Sequence, residues 1–232
     1  MKDQKQRNPV AEKLILALDV DTLEQAKHLV DLLASDIKIF KVGIHLFTAC
    51  GTSIIEYIRG KGAEVFLDLK FFDIPNTVAS AMKQVVKLQV KMCTLHILGD
   101  EEMLKGAKIA AQEEAIRLDV ARPLLIGVTV LTSKETTSDD VLILARLGID
   151  SGLDGIVCSA REVAFLKKEI NKKFIAVTPG IRPPRFASAD QKRTATVEEA
   201  IANGSDFLVI GRPIIEAADP RAVVREILAV GA

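Results

Sequence analysis

Four charged residues in the first third of the chain have the types and spacing needed for chemistry. Asp68 and Lys70 stand two positions apart at the end of an apolar run, and Asp73 follows three positions later. Because alternate residues of an extended strand point to one face, Asp68 and Lys70 are predicted to share a surface. Lys41 follows the preceding apolar run, so it would bring a second ammonium group to the same rim.

An array of carboxylates and ammonium groups with alternating sign can hold its charges without counter-ions. It could aim a carboxylate at an anionic substrate group and an ammonium at a developing carbanion. At an effective dielectric constant near 20, unit charges ~4 Å apart interact by about 4 kcal/mol. Fields that are organised before the reaction are usually the largest single contribution to catalysis. The alternative is a row of surface ion pairs, which is what most D-x-K-x-x-D segments are when taken alone.

A second group of residues, near the C-terminus, has the chemistry of a phosphate site. Gly211, Arg212 and Pro213 follow the last apolar run. Glycine lets the backbone approach an anion closely, and arginine offers a forked set of donors that matches phosphate oxygens. In barrel enzymes the loops after strands seven and eight commonly bind phosphate.

A long polar segment, residues 179–193, follows the seventh apolar run. Loops of this length in a compact domain are usually functional or disordered. We therefore predict a lid over an anionic ligand, and a merely solvated basic loop is the alternative. The polar and basic residues of the segment are Arg182, Arg185, Gln191, Lys192 and Arg193.

The elements that must position these residues are short, nearly continuous apolar runs. Strands covered on both faces, as in parallel sheets, have this pattern. Each run is followed by a segment with helical spacing, and polar residues stand where several runs end, among them Asp19, Lys41, His96, Thr129 and Thr132. The eight runs are Leu14–Leu18, Ile37–Phe40, Val65–Leu67, Met92–Leu95, Leu124–Val130, Gly155–Val157, Phe174–Val177 and Phe207–Ile210.

The spacing of the runs predicts an α/β fold with a single (β/α)8 barrel. Eight strand–helix units in 232 residues average 29 residues each, close to the ~30 of a βαβ unit. Helix starts are predicted at Asp21–Glu24, Ser159–Glu162, Thr196–Glu199 and Asp219-Pro220. Residues 1–10 are interpreted as a lead-in and residues 11–232 as one barrel domain. A doubly wound open sheet is the alternative fold.

The composition excludes several classes of function. Lys+Arg and Asp+Glu balance at 31 each, which gives no electrostatic reason to expect nucleic acid or an anionic membrane as partner. No apolar run approaches the ~20 residues that span a bilayer, and the polar N-terminus does not resemble a signal peptide. Three cysteines and three histidines, without ligand-like pairing, predict a reduced cytoplasmic protein that has no structural zinc.

Several segments together resemble the orotidine 5′-phosphate decarboxylase family. The segment Asp68-Leu-Lys-Phe-Phe-Asp-Ile-Pro-Asn-Thr77 is similar to the active-site signature of that family. The D-x-K-x-x-D core is shared with sister families, whereas the appended Ile-Pro-Asn-Thr is specific. The likeness extends over nearly the whole chain in the expected order, through Ala17–Asp19, Phe40–Gly43, Val130–Ser133, Thr178–Arg182, Asp190-Gln191 and Val209–Arg212.

The resemblance implies decarboxylation of orotidine 5′-phosphate (OMP) to UMP without a metal or other cofactor. Lys70 would protonate C6 of the pyrimidine as CO2 leaves, Asp68 would lie against the substrate carboxylate, and Lys41 would hold Asp68 and the ribose. The family is homodimeric, so Asp73 and Thr77 would reach into the partner's site.

The remaining implied residues bind the substrate. Asp19 would hold the ribose hydroxyls and Thr132 the pyrimidine edge. The phosphate would be bound by Arg182, Gln191, Gly211 and Arg212. Binding energy at the phosphate, far from the reacting carbon, can stabilise a closed and desolvated site.

One segment departs from the family pattern. After the fourth strand the bacterial members usually read His-Ala-x-Gly-Gly, whereas this chain reads His96-Ile-Leu-Gly-Asp100. The altered loop gives no reason to assign His96 a catalytic part, and a strand-end histidine with local partners is the simpler interpretation.

Two other functions remain as alternatives. A sister decarboxylase or aldolase would act on a sugar phosphate through a magnesium-stabilised enediolate, but such enzymes place a glutamate where this chain has Lys41. A protonated lysine cannot ligate Mg2+. A barrel that only senses a phosphorylated ligand would be expected to lack Lys70 or Asp68, and this chain has both.

Overall fold

A computed structural model describes residues 9–130, 137–183 and 194–230 of the chain. Within these ranges eight parallel strands close into one barrel in sequence order, with β1 paired to β8, and helices alternate with the strands. The (β/α)8 prediction is therefore confirmed. The strands are β1 Leu14–Ala17, β2 Ile39–Gly43, β3 Glu64–Phe71, β4 Met92–His96, β5 Leu124–Val128, β6 Gly155–Val157, β7 Ile175–Thr178 and β8 Phe207–Ile210.

The helices of the described residues surround the barrel. One short 3-10 turn, Ile97–Gly99, directly follows β4. The α-helices are α1 Pro9–Lys13, α2 Leu23–Leu33, α3 Ile44–Cys50, α4 Ser53–Gly60, α5 Pro75–Lys87, α6 Asp100–Leu118, α7 Ser138–Asp150, α8 Ala160–Glu169, α9 Val197–Ala202, α10 Arg212–Ile215 and α11 Pro220–Ala229. No helix in these ranges has the length and apolar character needed to cross a membrane.

Several predicted strand ends differ from the structure, and one of the differences concerns a charged residue of the predicted site. Asp68 and Lys70 were predicted to close the third strand, and β3 contains both and ends one residue later, at Phe71. Lys41 was predicted to follow the second strand and instead lies inside β2. Apolar runs mark where a strand is covered on both faces, whereas these charged residues are strand residues that face the barrel mouth.

The predicted helix starts are confirmed with one correction. The cap of α2 is Thr22, not Asp21, because the Thr22 hydroxyl accepts from Gln25 N and the Gln25 side chain accepts from Thr22 N. Asp219 caps α11 as predicted, with its carboxylate accepting from Ala222 N. The starts at Ser159 and Thr196 also occur as predicted, each with a glutamate three residues later that accepts from the cap residue's own N–H.

The buried side chains divide between the inside and the outside of the barrel. Strand residues alternate, so that one set faces the barrel interior and the other packs under the helices. The interior set is Ile15, Ala17, Ile39, Phe66, Met92, Ile126, Val177 and Val209. This interior cluster is the apolar base on which the polar residues at the mouth stand.

The two ends of the described chain meet where the barrel closes. Leu14, Ile15 and Leu16 pair with Leu208, Val209 and Ile210. Lys13 donates a hydrogen bond to the Ser205 carbonyl at 3.0 Å, and Val10 of α1 is buried in the outer core. The first and last strands are thus held together by backbone pairing and by a side-chain bond between residues 192 positions apart.

Candidate active site

The first three strands bring four predicted residues to the carboxyl end of the barrel. Lys41 lies two residues after Ile39, and Asp68 two residues after Phe66, so both continue rows of inward-facing side chains. Asp19 follows β1 and Lys70 stands near the end of β3. Because neighbouring parallel strands end on the same side, the four charges meet at one mouth.

The charges form a connected chain of ion pairs. Lys41 Nζ lies 3.2 Å from Asp19 Oδ1 and 3.5 Å from Asp68 Oδ2. Lys70 Nζ donates to Asp68 Oδ1 at 2.9 Å. Asp68 and Lys41 are largely covered, with side-chain exposures of 14% and 12%, whereas Lys70 is 38% exposed. The order Asp19–Lys41–Asp68–Lys70 alternates in sign and has no net charge.

The backbone of β3 is irregular where it carries these groups. Leu67 pairs with Cys93 and Phe71 pairs with Leu95, so three β3 residues, 68 to 70, lie opposite the single β4 residue Thr94. Lys70 has a φ of 51°, in the left-handed region that side chains rarely adopt. Such a conformation costs about 1–3 kcal/mol and persists only where its surroundings hold it.

Thr94 provides the hydrogen bonds at this irregularity. Its hydroxyl accepts from the Lys70 backbone N–H at 2.8 Å and donates to Asp68 Oδ1 at 3.0 Å. Thr94 is fully buried. One hydroxyl group therefore joins the strained backbone of Lys70 to the central carboxylate.

The electrostatic environment favours the charged form of Asp68. Burial by itself would raise the pKa of this carboxyl group. The ammonium groups of Lys41 and Lys70, together with hydrogen bonds from Lys70 and Thr94, outweigh burial and hold the pKa below its usual value. Asp68 is therefore an anion at neutral pH.

Two glycines leave the space that the charges occupy. A Cβ atom on Gly43 would stand 3.2 Å from Lys41 Nζ. A Cβ atom on Gly211 would stand 3.3 Å from Asp19 Oδ2 and 3.3 Å from the Ala17 side chain. Both distances are tighter than ordinary contacts, so side chains at these positions would press on the ion pairs.

A cavity of about 310 Å3 opens at this mouth. Asp19, Lys41, Asp68 and Lys70 form one wall, and Arg182, Gly211 and Arg212 lie on the side that follows β7 and β8. Between them the floor is apolar and is made of Ala17, Phe66, Val128, Val157, Val177 and Val209. A ligand in this cavity would meet the ion-pair chain, an apolar surface and two arginine residues.

Asp73 and Thr77 do not line this cavity. Both are exposed, and the Asp73 carboxylate accepts from the neighbouring Ile74 N at 2.6 Å. Asp73 therefore does not extend the ion-pair chain of this cavity. It lies beyond β3, at the start of α5, where Thr77 also stands.

Two predicted substrate-binding residues lie outside the described part of the chain. Thr132 falls in residues 131–136 and Gln191 in residues 184–193. Most of the predicted lid, including Arg185, Lys192 and Arg193, falls in the second of these ranges. Arg182 is described, and its backbone N–H donates to the Ala195 carbonyl at 3.0 Å, which joins the two flanks of that range.

The altered loop after β4 has its own local structure. The His96 ring lies 5.7 Å from that of Phe72, and His96 Nδ1 accepts from Leu98 N at 3.4 Å. Asp100 starts α6 with φ 66° and ψ 176°, a conformation that is essentially restricted to glycine. Its carboxylate accepts from Met103 N at 3.0 Å. The chain thus has an aspartate where glycine would be relaxed.

Sequence reasoning missed Thr94 and the role of Gly43. Thr94 lies inside the predicted apolar run Met92–Leu95 and was counted with it. The signal that could have identified it is alternation, because Thr94 stands two residues after the inward-facing Met92 and two before His96. A polar residue at an inward position near a strand end is a candidate for the mouth of a barrel.

Comparisons with known proteins agree with this geometry. A model of the Orotidine 5'-phosphate decarboxylase / HUMPS family matches residues 12–227. The chain is 44% identical over 228 residues to an orotidine 5'-phosphate decarboxylase of Saccharophagus degradans, which covers 94% of both chains. A relative with the same name from Vibrio cholerae is 45% identical over 227 residues, covering 93% of this chain and 96% of the relative.

A solved structure supports the same assignment. The orotidine 5'-phosphate decarboxylase of Lactobacillus acidophilus superposes with a TM-score of 0.81 at 36% identity and covers 93% of this chain and 97% of its own. The matched region contains all eight strands and the complete ion-pair chain. The chain belongs to the Orotidine 5'-phosphate decarboxylase / HUMPS family.

Proposed function

We propose that the protein is an orotidine 5'-phosphate decarboxylase that converts OMP to UMP and CO2 without a metal ion. The observation that carries the proposal is the ion-pair chain Asp19–Lys41–Asp68–Lys70 on one wall of a cavity that Arg182 and Arg212 also line. Relatives that carry this activity in their names are 44% and 45% identical to it.

The reaction follows from the charges of this wall. The bond between C6 and the carboxylate breaks, CO2 leaves, and the bonding electron pair stays on C6. Lys70, the more exposed of the two ammonium groups, delivers a proton to C6. The Asp68 anion lies against the substrate carboxylate and loses this repulsion when neutral CO2 forms, so the field favours the transition state over the bound substrate.

The other contacts hold the nucleotide in place. Asp19 and Lys41 bind the ribose, Thr132 the pyrimidine edge, and Arg182, Gln191, Gly211 and Arg212 the phosphate. The apolar floor excludes water from the pyrimidine ring. The lower dielectric constant there strengthens the interactions of Asp68 and Lys70 with the substrate.

The position of Lys41 favours a metal-free reaction over the alternative, a magnesium-dependent reaction on a sugar phosphate. Its ammonium group lies between the carboxylates of Asp19 and Asp68, the position at which a metal-dependent relative would need an anionic ligand. A protonated lysine offers no lone pair to a cation.

The proposal includes a homodimer in the cytoplasm. Large apolar side chains are exposed on the segments that follow β2, β3 and β4, on the same side as Asp73 and Thr77; they are Ile44, Phe72, Ile74 and Leu98. A second copy packed there would cover these side chains and receive Asp73 and Thr77 at its own mouth. Cys50, Cys93 and Cys158 are free thiols, which suits a reducing compartment.

The decisive measurement is the loss of OMP ultraviolet absorbance in the presence of EDTA. Turnover that persists in EDTA and falls by about 10^4-fold or more in Lys70→Ala is expected, because the variant loses its acid and its principal cation. Lys91→Ala is the matched control, since Lys91 is ion-paired with Glu64 just before β4, away from the mouth. No turnover by folded wild-type protein, or full turnover by the Lys70 variant, would overturn the proposal.

Complementation between two inactive variants tests the shared site. Lys70→Ala and Asp73→Asn are expected to be inactive alone. A mixed dimer contains one site with an intact Lys70 and an intact partner Asp73, so co-refolding the two variants should restore part of the activity. Recovery that is absent although mixed dimers form would contradict the contribution of Asp73 across the interface.

A further inference from the structure

The bond from Thr94 to the charged wall is not explained by strand pairing. Opposite residues 68 to 70 of β3, β4 offers only Thr94, so the regular backbone ladder between the two strands is interrupted there. The Thr94 hydroxyl takes the place of the missing ladder bond by accepting from Lys70 N–H at 2.8 Å. The same hydroxyl group donates a hydrogen bond to Asp68 Oδ1 at 3.0 Å.

The position of the hydroxyl makes its effect specific. Asp68 Oδ1 receives both the Thr94 hydroxyl and Lys70 Nζ, at 3.0 and 2.9 Å. Thr94 therefore helps to fix the orientation of the Asp68 carboxylate. Through its bond to the Lys70 backbone N–H, it also stabilises the left-handed conformation of Lys70. Because Thr94 is fully buried under the mouth and does not line the cavity, it acts through these two residues and not on the ligand.

We propose that Thr94 is a positioning residue of the reaction, which holds Asp68 and Lys70 in their working geometry through one hydroxyl group. The turnover part of this inference rests on the proposed decarboxylase activity. The effect on Asp68 itself is independent of any substrate and can be measured in the free protein.

The experiment compares Thr94→Val, which keeps the shape and removes the hydroxyl, with Thr94→Ser, which keeps the hydroxyl. Ser205→Ala is the control for the loss of a buried hydroxyl elsewhere, because Ser205 is bonded to Thr178 at 2.8 Å and does not touch the ion-pair chain. The valine variant is expected to lose about tenfold to a hundredfold in kcat with a smaller change in KM. The serine variant should recover most of that loss.

The pH dependence separates positioning from a general loss of stability. The hydroxyl bond to the Asp68 anion lowers the pKa of Asp68, so its removal raises that pKa and moves the acid limb of kcat/KM to higher pH. The charged groups around Asp68 are otherwise unchanged in the variant; they are Lys41 from β2 and Lys70 from β3, with Asp19 bonded to Lys41 and with Arg182 and Arg212 lining the same cavity.

Carboxyl titration by NMR of the free wild type and variants gives the same comparison without substrate. A rise in the pKa of Asp68 in the valine variant, reversed in the serine variant, is the expected result. An unchanged Asp68 titration, or a kcat loss matched by Ser205→Ala, would overturn the role of Thr94. Failure of wild-type protein to turn over OMP would instead count against the proposed function, while the titration would still decide the inference.

Discussion

Two partly buried carboxylates at opposite ends of the barrel strands, Asp154 and Asp68, are bound differently. At the amino ends, Asp154 accepts from Arg122 at 2.7 and 2.8 Å and from Leu125 N at 2.7 Å. At the carboxyl ends, Asp68 is shared between two lysines at 2.9 and 3.5 Å. One carboxylate is bound bidentately to one guanidinium group, and the other lies between two separate ammonium groups.

Under the proposed function, this difference separates a stabilising site from a reactive one. The planar guanidinium group of Arg122 binds both oxygens of Asp154 and leaves little capacity for a ligand. The side chains of Arg122 and Asp154 are 18% and 21% exposed. Lysine is a point charge on a flexible chain, so the Asp68 cluster keeps donor capacity directed toward the cavity. The backbone does not follow this division, since left-handed residues occur on the mouth side, at Lys70 and Asp100, and also before β4 and β5, at Gln89 and Asp119.

Asp68→Asn is expected to give the largest effect of the substitutions that test this comparison. The amide keeps an oxygen for Thr94 and Lys70 but removes the anion, so kcat/KM should fall by about 10^3-fold or more. The free energy of unfolding should fall by less than in Asp154→Asn, because Lys41 keeps its pair with Asp19 and Lys70 is 38% exposed. A loss of stability without a loss of OMP turnover would show that Asp68 is merely structural.

Asp154→Asn should have the opposite effect, with a large loss of stability and little change in kcat/KM. Removing the charge leaves the largely covered Arg122 without its bidentate partner, which should cost about 3 kcal/mol of unfolding free energy. The value of kcat/KM should stay close to that of wild type, since the pair lies at the other end of the barrel. Urea unfolding and steady-state kinetics on the same preparation measure both quantities, and a kinetic defect in folded protein would contradict the division.

The strained start of α6 gives the smallest expected effect. Asp100→Gly and Asp100→Ala both lose the bond to Met103 N, but only glycine relaxes the backbone at φ 66°. The glycine variant should therefore be more stable than the alanine variant by about 1 kcal/mol. Equal unfolding free energies would show that Asp100 carries no strain.

The fold could be predicted because its signals are local and repeated. The predicted bounds of β6 and β8 match the structure. Short side-chain motifs correctly predicted the helix starts at Ser159, Thr196 and Asp219. The end of β2 was not predictable, because an apolar run reports burial and Lys41 belongs to a strand that continues past it.

The site was predictable in its residue types and less so in its geometry. Asp19, Lys41, Asp68 and Lys70 meet as the rule on strand ends predicts. Asp73 does not join them, because a residue beyond a strand has no fixed direction that its spacing alone could give. Thr94 was missed since its contacts depend on the register shift between β3 and β4, a property of two segments that no single segment encodes.

The closure between β1 and β8 has a consequence for the order in which the enzyme is made. Asp19 and Gly211 are neighbours in space, but nearly the whole chain separates them, and they meet only when β8 pairs with β1. A ribosome-bound chain from which β1 to β4 have emerged already contains the residues of the ion-pair chain. It still lacks Arg182 and Arg212, which follow β7 and β8. Such long-range pairing is slow, so activity should emerge only after the last strand has been synthesised and docked.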